Sequence, residues 1–220
     1  MGQATHIGIL KRMPTAPNAE ELTTKGQATR ARIVGAAADL MTAHGVSAVN
    51  MLDVRKAANI SGSQLSHYFD NKQSLIRAVI ARQADAVIDL HQAPELGELD
   101  SFEALELWAK LNIESLESRN CEGGCSYGSL AGELVECDPV VRTDLAAGFA
   151  RWEQLFRHGL TLMRDRGDLR PDADPDRLSY AIMAALQGGM LLGQTARDAT
   201  PLRAALTSVL DYLRSYATAD

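Results

Sequence analysis

From Thr24 onward the apolar residues return every three or four positions, the period of a helix with one buried face. Ile33, Ala36, Ala37, Leu40 and Met41 form the first such stripe, and His44-Gly45 follows it with a basic last turn and a glycine stop. Asn50 predicts the cap of a short helix, with Asp53 three residues on and Val54, Ala57 and Ala58 along one face. Asn59 tolerates the left-handed backbone that a tight turn needs. Ser61 predicts the cap of a second short helix, Gly62 to Phe69, and a longer helix is expected from Lys72 to Leu90. Asp100 and Glu103 predict a capping box ahead of Leu105, Trp108, Leu111 and Leu116. Asp138-Pro139, Asp174-Pro175 and Thr200-Pro201 each pair a capping residue with proline at the first helical position. The helices they open are expected to run to about Arg166, Arg197 and Tyr216. No segment alternates like a strand, so the chain reads as all-α. Residues 1–23, with Pro14 and Pro17 and no period, read as a flexible arm.

Composition narrows the class. The 220 residues are 46% hydrophobic and 23% charged, a globular balance that argues against wholesale disorder or a fibrous rod. Three cysteines make no disulfide framework and suit a reducing compartment, so a cytoplasmic location is expected. The sequence holds neither a signal-peptide core in its first twenty residues nor a run of eighteen apolar residues, and no membrane partner is expected. The net charge of -6 is unevenly spread: Thr24 to Arg82 carries eight basic and three acidic residues, whereas residues 83–220 carry 12 basic and 23 acidic. Such a split fits an N-terminal module for a polyanion joined to a body that repels one, although an ordinary solvated surface produces the same numbers.

Met51 to Phe69 reads as helix, turn and helix. Val54, Ala58, Leu65 and Phe69 point inward, which leaves Gly62, Ser63, Gln64, Ser66, His67 and Tyr68 outward. A second helix of this kind can enter the major groove N-terminus first. Gln64 has the side chain that pairs bidentately with adenine, and Ser63 or His67 can reach base edges. Tyr68, Lys72 and Lys25 are candidate phosphate contacts, and Asn50 joins the candidate DNA-binding set from the cap of the preceding helix. A helical hairpin with a merely polar surface remains the alternative at this point.

The stretch Ala31 to Ile80, especially NISGSQLSHYFDNKQSLIRAVI, resembles the DNA-binding domain of TetR (AcrR-like) transcriptional regulators. Ser61, Leu65, His67, Tyr68, Phe69, Lys72 and Leu75 carry the likeness. Asn59 stands where the family commonly has a turn glycine, Arg55 where it has alanine, and Ser66 where it often has tyrosine. The resemblance implies a DNA-binding domain at 24–70 and a ligand-binding and dimerisation domain at 71–220. It also implies a homodimer through the last two helices, a double-stranded DNA operator, and repression relieved by a small-molecule effector. Coupling is expected through the helix from Lys72 to Leu90.

Ala181, Ala185, Gly189 and Gly193 fall at spacing four, with Ala184 and Gly188 beside them, so one side of that helix is nearly flat and suited either to a dimer contact or to close packing within the chain. Trp108, Asn112, Ile113, Tyr127, Phe149, Trp152, Phe156 and Met163 are the candidate pocket residues, and an ordinary core is the alternative for any of them. Cys121, Cys125 and Cys137 lack the spacing of a zinc site, and no metal or cofactor is expected. Cys125, just ahead of a helix start expected at Ser129, is the candidate reactive thiol. Its segment GGCSYGSLAGEL resembles a branch of these regulators in which some members sense electrophiles through a cysteine. No phosphate loop, G-x-S-x-G or H-E-x-x-H motif occurs, and His44, His67, His91 and His158 each have a surface explanation, so the chain is not expected to be an enzyme. Two alternatives stay open: a thiol-responsive regulator working through Cys125, and a helical small-molecule-binding protein or enzyme that binds no DNA.

Overall fold

The computed structural model describes residues 22–218. The arm expected at residues 1–23 lies outside them except for Leu22 and Thr23, and Thr23 caps the first helix, its Oγ1 accepting from the Gly26 amide at 3.2 Å. Among the described residues there are nine α-helices and no strand. They are α1 (Thr24–His44), α2 (Met51–Ala57), α3 (Gly62–Tyr68), α4 (Lys72–His91), α5 (Phe102–Ser118), α6 (Ser126–Leu134), α7 (Pro139–Arg166), α8 (Pro175–Ala196) and α9 (Thr200–Arg214).

Several starts follow the predicted caps. Asn50 and Asp53 form a reciprocal box at α2, as Ser61 and Gln64 do at α3, and Asp138 and Asp174 each accept from the two amides that follow a proline. Three starts differ. The cap of α5 is Ser101, whose Oγ accepts from the Ala104 amide at 3.1 Å, while Asp100 is drawn into an ion pair with Arg166 at 2.8 Å. Helix α6 begins three residues earlier than expected, with Cys125 itself as its cap. At α9 the cap is Ala199, and Thr200 lies inside the helix because Asp198 holds both its amide and its hydroxyl at 2.8 Å. Ala57, expected on the inner face of α2, is exposed.

Two apolar clusters organise the chain. One gathers Ile33, Ala37 and Met41 of α1 with Val54, Leu65, Phe69, Leu75 and Val79, and continues into Tyr127, Leu130 and Leu134 of α6 and Val141 and Leu145 of α7. The packing therefore does not divide at residue 70. The other cluster joins the end of α4 with α5 and α7 to α9. Helix α4 belongs to both and connects them.

The flat stripe on α8 is mostly an internal feature. A Cβ added at Gly189 would lie 2.8 Å from Leu202 Cα of α9, and one at Gly193 would lie 3.0 Å from Leu116 of α5, so these glycines admit neighbours of the same chain. The outward face of α8 is the next one round, with Tyr180, Leu191 and Leu192 exposed by 65%, 63% and 60%.

Candidate nucleic-acid interface and the body that carries it

Helix α3 is held by its own side chains. Ser61 Oγ accepts from the Gln64 amide at 3.1 Å and Gln64 Oε1 accepts from the Ser61 amide at 3.0 Å. Ser63 Oγ lies 3.0 Å from Ser61 Oγ, and Ser66 Oγ donates to the Gly62 carbonyl at 3.1 Å. Asn59 makes the turn with φ of 50°, and Leu65 and Phe69 are buried beneath. Gly62, Ser63, Gln64, Ser66 and His67 are exposed, and Tyr68, half-buried, sets its ring edge against His67 at 4.9 Å. The expected outward row is thus brought together on one helix.

Two expectations change. Gln64 is already committed to the cap, so a bidentate pair with adenine requires it to release the Ser61 amide. Lys72 is half-buried and its Nζ donates to the Val46 carbonyl at 2.7 Å, which makes it first a tether of the turn after α1. Asn50 Oδ1 accepts from the Leu52 and Asp53 amides at 2.9 and 3.1 Å, and Lys25 is exposed on the first turn of α1. Arg30, absent from the candidate set, lies over the Phe69 ring at 5.2 Å and adds positive charge beside α3. Its distance from Phe69 in sequence hid it.

In the body, the expected pocket aromatics meet each other. His91 donates from Nδ1 to the Val87 carbonyl at 2.8 Å, so Nε2 is the acceptor, and it receives both Trp108 Nε1 at 2.8 Å and Trp152 Nε1 at 3.0 Å. Phe156 packs edge-on against His91 and Trp108. Burial pushes the His91 pKa down to about 4, against the Val87 bond, which raises it. The surface reading of His91 is therefore corrected: its partners lie 17 and 61 positions away, beyond any local pattern. Trp108, Trp152 and Phe156 are buried and fill the core. Tyr127 is buried too, its hydroxyl donating to the Leu145 carbonyl at 2.9 Å, with its pKa pushed up to about 12 by burial. Asn112 donates to the Trp108 carbonyl at 2.9 Å within its own helix.

Of the predicted pocket residues, Ile113 lines a groove between α5 and α9, and Phe149 lines open space beside Cys125. Phe149 and Cys125 border a cavity of about 410 Å³ between α6 and α8. Cys125 Sγ accepts from the Gly128 amide at 3.3 Å and from Gln187 Nε2 at 3.5 Å. A second, larger groove of about 580 Å³ runs between α5 and α9, bordered by the ion pairs Arg203–Glu117 and Lys110–Glu114. Among the described residues no cluster of three or more metal-ligating side chains occurs, and no helix is long and apolar enough to cross a membrane.

The body also grips the N-terminal helices directly. Glu133 of α6 accepts from the Val46 amide at 2.8 Å, so the peptide groups of Val46 are held by Glu133 on one side and Lys72 on the other. Helices α4 and α7 are joined by Arg151–Asp85 at 3.0 Å and by Arg77–Asp144.

Two family models match the chain and together span more than half of it: "Bacterial regulatory proteins, tetR family" over residues 33–79, and "Tetracyclin repressor-like, C-terminal domain" over residues 102–209. The HTH-type transcriptional repressor DhaR of Mycobacterium sp. (strain GP1) is 25% identical over 185 residues, covering 84% of this chain and 91% of DhaR. The transcriptional regulator AcuR of Cereibacter sphaeroides is 27% identical over 175 residues, covering 77% and 78%. In fold, the chain is similar to a TetR regulatory protein from Rhodobacter sphaeroides, with a TM-score of 0.73 at 23% identity over 84% of this chain and 98% of that one. A TetR-family regulator from Cytophaga hutchinsonii gives 0.76 at 15% identity over 91% and 100%.

Proposed function

The chain belongs to the TetR family of DNA-binding transcriptional regulators, and we propose that it is a homodimeric repressor released from its operator by a small molecule bound in the helical body. The observation that carries this reading is the exposed row Ser63, Ser66 and His67 on a helix fixed from behind by Leu65 and Phe69. Such a row offers donors and acceptors to base edges, while Lys25, Arg30 and Tyr68 surround it as phosphate contacts. Gly62 and Gln64 are exposed on the same helix, Asn50 is exposed at the cap of α2, and Lys72 reaches DNA only if it leaves Val46. Residues 24–70 serve as the DNA-binding unit and 71–220 as the regulatory one. The name of DhaR supports repression as the direction of control.

The dimer reading rests on the outward face of α8, where Tyr180, Leu191 and Leu192 lie exposed and Tyr212 of α9 is exposed too. Two copies joined there cover an apolar patch that water disfavours, and place two α3 helices to read half-sites about 34–36 Å apart or further. Helices α4 and α6 both contact the N-terminal helices, so a ligand that prefers one setting of either shifts operator affinity.

A mobility shift with the DNA upstream of the chain's own coding region tests the proposal. Binding is expected to weaken by about 10³-fold or more between 50 and 200 mM salt; absence of any shift at 50 mM refutes it. A second reading is supported by Cys125, whose sulfur accepts an amide at a helix start and borders the cavity. If thiol modification is the signal, Cys125→Ser abolishes the response; under the ligand reading it does not.

A further inference from the structure

We infer that the cleft between α6 and α8 binds a small uncharged molecule carrying a hydrogen-bonding oxygen, and, resting on the regulator reading above, that this molecule is the effector. The interior between α4, α5 and α7 is filled by His91, Trp108, Trp152 and Phe156, where both indole N–H groups donate to His91 Nε2 and His91 Nδ1 donates to the Val87 carbonyl. Space is open in the cleft, whose volume of about 410 Å³ falls in the range of about 300–1,000 Å³ usual for ligand sites, and in the larger groove between α5 and α9, whose lining carries the charged Glu106, Lys110, Glu114, Glu117 and Arg203.

The cleft's chemistry is specific. Phe149, Met190 and Leu191 supply apolar wall, Gln187, Gln194 and Ser129 supply polar groups, and among the described residues no Asp, Glu, Lys, Arg or His lines it. An ion entering would leave water without meeting a counter-charge, a cost that an uncharged molecule avoids. Gln187 provides direction. Its amide donates to Cys125 Sγ at 3.5 Å, and sulfur is a weak acceptor, so a carbonyl or hydroxyl oxygen offers that donor a better partner. Met190 can adjust to the shape of the guest.

The cleft's position connects it to the DNA-binding unit. One wall is α6, through Cys125 and Gly132, and the same helix bonds Val46 through Glu133, so an occupant that displaces α6 acts on the end of α1. The opposite wall includes Leu191 of the outward face of α8.

The test uses the full chain carrying Cys137→Ser, in which Cys125 is the thiol that is not buried, since Cys121 is. Three methanethiosulfonates on the same ethyl linker are compared: hydroxyethyl, sulfonatoethyl and trimethylammonioethyl. Each transfers its thioalkyl group to Cys125 and releases methanesulfinate. With rates normalised to glutathione, the hydroxyethyl reagent is expected to react more than about tenfold faster than either charged one, since desolvating an ion costs well over the free energy of one decade. Equal normalised rates, or no reaction of the neutral reagent, overturn the proposal. Gly132→Leu places a side chain where an added Cβ meets nothing within 4 Å, and is expected to slow the hydroxyethyl reagent about tenfold with the melting temperature retained. An unchanged rate counts against the site. Operator binding is followed separately by mobility shift. A chain that never binds DNA refutes the regulator reading while the cleft's selectivity stands. A chain that binds operator equally well with and without the hydroxyethyl adduct overturns the effector assignment.

Discussion

In the helix pair Met51–Tyr68 the side-chain hydrogen bonds close over two to four residues, whereas in the body His91 reaches Trp108 and Trp152 across 17 and 61 positions and Glu133 reaches Val46 across 87. Local bonds let α3 hold its shape with its outer surface free for a partner. Long-range bonds make the body respond as a unit, so that a change at one helix is felt at another. A regulator needs both: a rigid reading surface and a body whose packing can be biased by a guest. The comparison implies that damage to the body unfolds the chain, while damage to the helix pair changes what it binds.

The largest expected effect is in the body. Phe156→Ala removes a fully buried ring and is expected to cost about 3–5 kcal/mol in urea unfolding, enough to compromise folding. Next comes pH. His91 ionises near 6.5 in the unfolded chain and at about 4 in the folded one, so the unfolded chain binds the extra proton first as pH falls. Its contribution is whole above pH 6.5 and is lost progressively down to about pH 4, by about 3 kcal/mol in all. Urea midpoints at pH 7, 5.5 and 4.5 should show that slope, and His91→Gln should remove it; an identical slope in the variant would place the proton elsewhere.

In the helix pair the effects are smaller and local. Ser61→Ala is expected to cost about 1 kcal/mol of stability by leaving the Gln64 amide without its cap, and to weaken DNA binding by loosening α3. Smallest of all, Lys25→Ala should leave the melting temperature unchanged and lower the salt dependence of DNA affinity by about one phosphate contact. A large stability loss from Lys25→Ala would contradict its placement on the surface.

The same contrast explains which elements the sequence announces. Asn50 with Asp53, Ser61 with Gln64, Asp138-Pro139 and Asp174-Pro175 signal their helices because each interaction is complete within three residues. Asp100 and Ser101 are neighbours of equal capping ability, and the choice between them was made by Arg166, 66 residues away. Ahead of α6, Cys125 takes a role that the usual capping residues would announce but sulfur does not. Trp108, Trp152 and Phe156 were expected near a ligand, yet His91 gathers them into core. Gly189 faces Leu202 because α9 folds back on α8, a contact that helix spacing cannot reveal. The outward row of α3 was readable by pattern; the pocket candidates were readable in part, with Phe149 and Ile113 bordering open space, since a cavity is defined by what fails to fill it.

On the proposed function, the outward row of α3 meets duplex DNA. Fluorescence anisotropy with labelled upstream DNA at 50 mM salt, comparing the wild-type chain with the double variant Ser63→Ala, His67→Ala, tests it directly. Each lost base contact should cost about 1–3 kcal/mol of discrimination, so specific affinity is expected to fall by about 30-fold or more while unspecific binding and the melting temperature hold. Equal specific affinity in the two proteins would show that this row does not read the operator.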